Sequence, residues 1–256
     1  MRRRRPVAAT TVARIAVLTD VHANLPALDV ALHEIERLGA DAVYHTGDAI
    51  GIGPFPAECL DRLLSRPKTN LLMGNHDAWF AFGLPDESAP GMPAEEREHQ
   101  RWVHEQLDPS LKAVVATWPY ASSLRVEGVR LDFLHYPLNA SGGFRAPTDV
   151  ALPETADALF GLRASTVVFF GHDHRAWNVH GATTRYVNPG ALGCSVEPVA
   201  RFALLEVKQG GAYSLTLHAE PYDPTPLYDA LEQRRVPARE FIRRTFLPQD
   251  AGPSIA

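Results

Sequence analysis

Apolar and polar positions come in blocks along the first third of the chain. Ile15 to Leu18 form a short apolar run of strand character. After it, Leu28, Leu32, Ile35 and Leu38 recur at helical spacing. Asn24 stands where an N-cap belongs, Pro26 falls in the first turn, and Gly39 follows the last apolar position. "DAVYHTGD" predicts a second strand, "PAECLDRLLS" a second helix, and "NLLMGNHD" a third strand with a polar exit. A β-α-β-α-β alternation predicts parallel strands covered by helices.

Beyond Trp79 the pattern is less regular. "PAEEREHQRWVHEQL" predicts a helix after the Pro- and Gly-rich loop "GLPDESAPGMP". "RVEGVRLDFLH" predicts a hairpin turning near Gly128, "PETADALFGL" a helix and "TVVFF" a strand. Further strands fall in "TTRYVN", "RFALLEV" and "YSLTLH", the last two joined at Gly210-Gly211. The stretch from Pro221 to Pro226 leads into a charged helix or tail. The expected organisation is a disordered basic tail over 1–11, one domain over 12–220 and a C-terminal extension over 221–256.

Composition narrows the function classes. With 45% hydrophobic and 21% charged residues over 256 positions, the chain can bury one large core. No apolar run approaches the roughly 20 residues of a membrane helix, so no membrane partner is expected. Two cysteines, Cys59 and Cys194, give no disulfide framework, and a reduced, cytoplasmic setting is the expectation. Arg2 to Arg5 lack a following apolar stretch of signal-peptide length, because "PVAATTVAR" is short and interrupted, and they read as a solvated tail. The net charge is −5 even with those arginines counted, which argues against a nucleic-acid partner bound by a broad basic face.

The chemistry gathers at the strand exits. Asp20 and His22 follow the first strand, Asp48 the second, and Asn75, His76 and Asp77 the third. His135 ends "LDFLH", and His172 and His174 follow "VVFF". Ligands of parallel α/β sheets bind beyond the carboxyl ends of strands, so separate segments can deliver these groups to one place. If the chain stays extended there, residues i and i+2 face the same way. Asp20 and His22 would then share a side, as would His172 and His174, with Asp173 turned away. The cysteines lie far from this pattern, which disfavours a structural zinc site. Mixed Asp, His and Asn donors suit Mn²⁺, Fe, Ni²⁺ or Zn²⁺ rather than calcium. Seven or eight donors are too many for one tetrahedral ion and suit two ions sharing a carboxylate.

Taken together, Asp20-Val21-His22, Gly47-Asp48, Gly74-Asn75-His76-Asp77, His135 and Gly171-His172-Asp173-His174 resemble the calcineurin-like metallophosphoesterases in order and spacing. "DVHANLPAL", "VYHTGDAIGIGP" and "NPGALG" look most like the small bacterial phosphodiesterase (YfcE-like) branch. The resemblance implies a four-layer α/β/β/α sandwich and two divalent metals, Mn first, with Fe, Ni or Zn as alternatives. It implies that Asp20, His22 and His174 hold one ion, that Asn75, His135 and His172 hold the other, and that Asp48 bridges them. It assigns Asn75 and His76 to substrate contact, His76 to protonating the leaving oxygen, and Asp77 to orienting the His76 ring. A hydroxide between the ions would attack phosphorus.

The chain departs from the family pattern at Ala23, at His135-Tyr136-Pro137 and at Asp173. Tyr136 is left open between core and pocket. The "GDxxDRG" form of protein phosphatases is absent, the chain reading "GDAIGIG". His45 is read as a strand residue or a partner to a ligand, and His33, His99 and His104 as solvated helix positions. His180, His218 and Arg145 carry no motif, Asn188 supports a turn, and Cys194 is a buried small residue.

The expected function is hydrolysis of a phosphodiester, or secondarily a phosphomonoester, in a small phosphorylated substrate. A homo-oligomer is left open. A non-catalytic scaffold of the same fold should have lost ligands, and a nuclease should show a basic groove.

Overall fold

The computed structural model describes residues 10–86, 92–161 and 165–248. Its strands are β1 (Thr11–Leu18), β2 (Ala42–His45), β3 (Thr69–Leu71), β4 (Ala121–Val126), β5 (Val129–Leu134), β6 (Val167–Phe169), β7 (Trp177–His180), β8 (Arg185–Asn188), β9 (Val199–Lys208) and β10 (Tyr213–Pro221). The helices are α1 (Leu25–Arg37), α2 (Pro56–Ser65), α3 (Asn75–Phe82), α4 (Ala94–Glu105), α5 (Leu111–Val115), α6 (Pro153–Phe160), α7 (Thr225–Gln233) and α8 (Arg239–Phe246).

One sheet runs β10-β9-β1-β2-β3 and the other β4-β5-β6-β8-β7. As the β-α-β alternation predicts, β1, β2 and β3 pair in parallel. β9 joins the other edge of β1 antiparallel, so the sheet is mixed. The second sheet is mixed too, with β5-β6 and β6-β8 parallel.

The layering follows from period-two burial. Ile15 and Val17 face the other sheet and pack with Phe133, Phe169 and Leu205. Ala16 and Leu18 face the helices and pack with Leu28, Leu32 and Ile35 of α1. β6 repeats this, with Val167 and Phe169 between the sheets and Val168 beneath α6 beside Phe160. Because both faces are covered, these strands read as unbroken apolar runs. The order is helices, sheet, sheet, helix.

Several elements differ from the sequence reading. β1 starts at Thr11, inside the expected tail, because Thr11 and Ala13 pair with Lys208 and Val207 of β9. Residues 1–9 of that tail and residues 87–91 of the expected Pro-rich loop lie outside the described residues. β3 stops at Leu71, and Asn75 to Asp77 open α3 rather than extend a strand. The Asp77 carboxylate reaches back to accept the Gly74 N–H at 3.0 Å, which caps the helix start. The five-residue α5 and the four-residue edge strand β7 are too short for a period to be read in advance.

Residues 222–248 of the C-terminal extension take the helical form rather than that of a loose tail. Leu227, Leu231, Val236 and Ile242 form one buried cluster with Ile52, Ala191 and Cys194, which binds α7 and α8 to the loops at the strand exits.

Candidate metal centre

The strand exits turn through left-handed backbone. φ is 51° at Asp20, 44° at His22, 59° at Asp48, 74° at His172 and 61° at His174. The extended-chain argument for pairing i with i+2 therefore does not hold, since the side chains are aimed by tight bends. Left-handed non-glycine residues cost on the order of 1–3 kcal/mol each and persist only where neighbours fix them. Here the Asp20 N–H donates to Gly47 O at 3.0 Å, the His22 N–H to Asp48 O at 3.0 Å, and the Gly193 N–H to Asp20 O at 2.9 Å. Glycine is required at position 74 for a different reason: a Cβ there would run into the Asp48 carboxylate and backbone nitrogen.

These bends produce two adjoining donor groups. In the first, His22 Nε2 lies 2.9 Å from His174 Nε2. His22 Nε2 is 3.7 Å from Asp20 Oδ1 and 3.7 Å from Asp48 Oδ2, and His174 Nε2 is 3.7 Å from Asp20 Oδ1. In the second, His135 Nε2 is 3.3 Å from the same Asp48 Oδ2 and 3.1 Å from Asn75 Oδ1. His172 offers a ring nitrogen within 4.8 Å of donor atoms of Asp48 and His135. Asp48 Oδ2 thus faces both groups. His135 Nδ1 sits 3.0 Å from Thr46 O, and donating its hydrogen there leaves Nε2 as a lone-pair donor.

Electrostatics favour a cation in this space. Asp20 and Asp48 are 0% and 1% exposed. Among the described residues no Lys or Arg lies within ion-pair distance of either carboxylate; their partners are histidines. Burial pushes the Asp20 carboxyl up. Burial opposes charge on Asp48 as well, but His135 and His76 beside it hold it well below the usual carboxylate range. Burial keeps His22 neutral and takes His172 down to about 3, where His135 adds to the effect. Against burial, Asp48 lifts His135 to about 9. Two imidazole nitrogens 2.9 Å apart, with two buried carboxylates, fit converging lone pairs on a divalent ion.

His76 is set beside the first group, its ring centroid 5.0 Å from that of His22. Its backbone N–H donates to Asp48 Oδ1 at 2.9 Å. The expected partner of its ring is corrected. The Asp77 carboxylate instead accepts backbone N–H groups from Asp48 (2.7 Å), Gly74 (3.0 Å) and Ala49 (3.1 Å). It holds the Asp48 loop against the start of α3. Burial and the neighbouring Asp48 charge push its carboxyl up to about 7. The ring's Nδ1 meets the Gln100 side-chain amide of α4 at 3.0 Å.

Other expectations sort as follows. Asp173 does face away: it accepts from Trp177 Nε1 at 2.5 Å, the Arg175 N–H at 3.0 Å and Asn188 Nδ2 at 3.1 Å. Asn188 thereby braces the histidine loop. Tyr136 belongs to the core with Phe160 and Phe170, its hydroxyl accepting the Thr148 N–H. Arg145 is exposed, and His45 is a buried strand residue with burial taking it to about 3. His33 and His180 are exposed, but His99 is 4% exposed and His104 is half-buried, because the α4 face carrying Arg97, His99, Gln100 and Val103 is turned inward. Cys194 is buried, yet folding brings its sulfur within 4.8 Å of His22 and His174 donor atoms, so its distance from the motifs is only one of sequence.

Sequence reasoning missed Gln100 and Phe246, whose ring centroid is 6.1 Å from that of His174. A glutamine spaced three residues from the apolar Val103 along one helix was the available signal for the first. For the second there was none, since α8 meets the site only through tertiary packing.

The calcineurin-like phosphoesterase superfamily domain matches residues 14–210. A metallophosphoesterase crystal structure from Sphaerobacter thermophilus is 19% identical, with a TM-score of 0.69, and 91% of this chain and 97% of that one are covered. A hypothetical protein of Pyrococcus horikoshii OT3 is 18% identical, with a TM-score of 0.77 and coverage of 93% and 99%. At these identities the two share the fold. An uncharacterized protein of Methanocaldococcus jannaschii is 38% identical over 63 residues, which is 25% of this chain and 26% of that protein. No helix among the described residues is long and apolar enough to cross a membrane.

Proposed function

The chain belongs to the calcineurin-like phosphoesterase superfamily, and from that premise we propose that it hydrolyses phosphoesters at a two-metal centre, with a phosphodiester of a small molecule as the favoured substrate. The observation that carries this reading is Asp48 Oδ2, 3.7 Å from His22 Nε2 and 3.3 Å from His135 Nε2, an oxygen shared by two donor groups. In this reading Asp20, His22, His174 and Asp48 hold one ion, and Asp48, Asn75, His135 and His172 hold the other. Mn²⁺ is the first choice by the family resemblance, and the mixed carboxylate and imidazole donors equally suit Fe, Ni²⁺ or Zn²⁺. When bound, such ions polarise the phosphoryl group and activate water at neutral pH.

The chain's own residues do the rest. Asp48 and Asp20, shielded from water, turn their oxygens to the ions rather than to solvent. His76 stands at the edge of the cluster without serving as a ligand. With the Gln100 amide nitrogen on Nδ1, that ring nitrogen accepts, and Nε2 carries the hydrogen offered to the leaving oxygen. Turned over, the same amide presents Oε1, which is buried and without a partner, to an Nδ1–H, so a protonated ring is also accommodated. A cytoplasmic setting is part of this proposal, in keeping with the two buried free thiols.

The test is a panel of Mn²⁺, Fe²⁺, Ni²⁺, Zn²⁺ and Mg²⁺ against mono- and diesters, with Asp48→Asn as control. Metal-dependent turnover of a diester is the expected result. Absence of turnover on every ester with every metal would leave a metal-binding scaffold instead.

A further inference from the structure

Two cavities flank the donor cluster, and Phe246 of α8 lines both. The larger, about 440 Å³, has His174, Arg175 and Arg201 in its wall. The smaller, about 270 Å³, opens at His76 and runs between α4 and α8, walled by Ile52, Phe241, Ile242 and Phe246. Among the described residues no Lys or Arg lines it, and its charged residues are Glu95 and Glu96.

We propose that the smaller cavity receives the leaving alcohol of the ester, and that it selects a neutral, ring-sized alcohol over a small or anionic one. This rests on the phosphoesterase reading, in which His76 meets the leaving oxygen. Whatever is bonded to that oxygen must then extend past His76, and the apolar cavity lies there. The two sides of Phe246 differ in chemistry, with cationic side chains toward His174 and apolar ones toward His76. The cavity volume suits an aromatic ring better than a larger group, being just under the usual range for whole-ligand pockets. An added carboxylate or phosphate on the alcohol would be brought toward Glu95 and Glu96. The apolar wall from α8 lies outside residues 14–210, the stretch that the family domain matches.

The test uses the full chain loaded with Mn²⁺ and compares benzylphosphonate with methylphosphonate by titration calorimetry. Benzyl and methyl phosphodiesters serve as substrates, since their alcohols have similar basicity. The expected result is benzylphosphonate binding at least about 10-fold tighter, the low end for burying one ring. Phe241→Ala should remove most of that preference and leave methylphosphonate affinity unchanged. Phe241 is 46% exposed, so the variant keeps its fold, which a thermal melt checks. 4-Carboxybenzylphosphonate should bind more weakly than benzylphosphonate, and the Glu95→Gln, Glu96→Gln double variant should narrow that gap. Equal affinity for the benzyl and methyl compounds, or a benzyl preference that survives Phe241→Ala, overturns the pocket while leaving ester hydrolysis intact. No turnover of any ester in the metal panel overturns the phosphoesterase reading, and this inference with it.

Discussion

The backbone N–H of His76 donates to Oδ1 of Asp48 at 2.9 Å, while Oδ2 of the same carboxylate faces His22 and His135. One side chain therefore fixes the start of α3 and joins both donor groups. Displacing Asp48 would disturb the ligands and the His76 ring together.

Asp48→Asn separates these tasks. The amide oxygen can still accept from His76, but the negative charge shared between the groups is gone. Metal retained after dialysis, read by elemental analysis, should fall at least about 10-fold. Retention of two full equivalents would contradict a shared ligand.

His76→Ala and Asp77→Asn should fail in different ways. Loss of the His76 ring should leave metal content unchanged and lower kcat by about 10²- to 10⁴-fold, the range for one general acid. Asp77→Asn puts an amide among three backbone donors. It should cost about 1–3 kcal/mol in urea denaturation. An Asp77→Asn protein of wild-type stability but altered pH–rate profile would restore the ring-orienting role that the contacts argue against.

Metal removal should loosen the fold as well as stop turnover. Ligands that bind only the folded chain stabilise it by about 2.7 kcal/mol at 100 times Kd. Melting temperature should rise with added Mn²⁺ and return on chelation, and Asp48→Asn should show little response.

His99 gives a pH prediction away from the donor cluster. Burial first, then His76, hold it at about 4 against an ordinary 6.5, while its bond to Pro237 O works the other way. Between these values the unfolded chain takes up a proton that the folded chain refuses. Stability should therefore fall as pH drops below about 6.5 and level off near 4, by roughly 3 kcal/mol. Urea denaturation of chelator-treated protein at pH 7.5 and pH 5 measures it. His99→Gln should reduce the dependence by that share, the rest belonging to other buried histidines such as His45, and an unchanged slope would assign all of it to those groups.

Much of the fold is legible because the central strands are covered on both faces, so β1 and β6 announce themselves as apolar runs with polar exits. The donor residues are legible for the same reason, each standing where such a run ends. Their aim is not. Left-handed φ at Asp20 and His22 depends on hydrogen bonds to Gly47, Asp48 and Gly193, that at His174 on the bond its carbonyl accepts from the Ala191 N–H, and those partners are set by tertiary packing. Asp77 looks like a ring-orienting carboxylate beside His76, yet α3 begins at Asn75 and turns it toward backbone N–H groups. His99 and Gln100 look solvated in a helix of low apolar content. They are buried because the C-terminal helices and the site meet that face.

The donor set is divided between the two sheets. Asp20, His22, Asp48 and Asn75 come from the exits of β1, β2 and β3, while His135, His172 and His174 come from those of β5 and β6. Neither sheet alone can assemble the centre. A nascent chain whose layers have not yet closed on each other presents only half a coordination shell and captures ions poorly. Under the proposed function, metal uptake is thus a readout of completed folding.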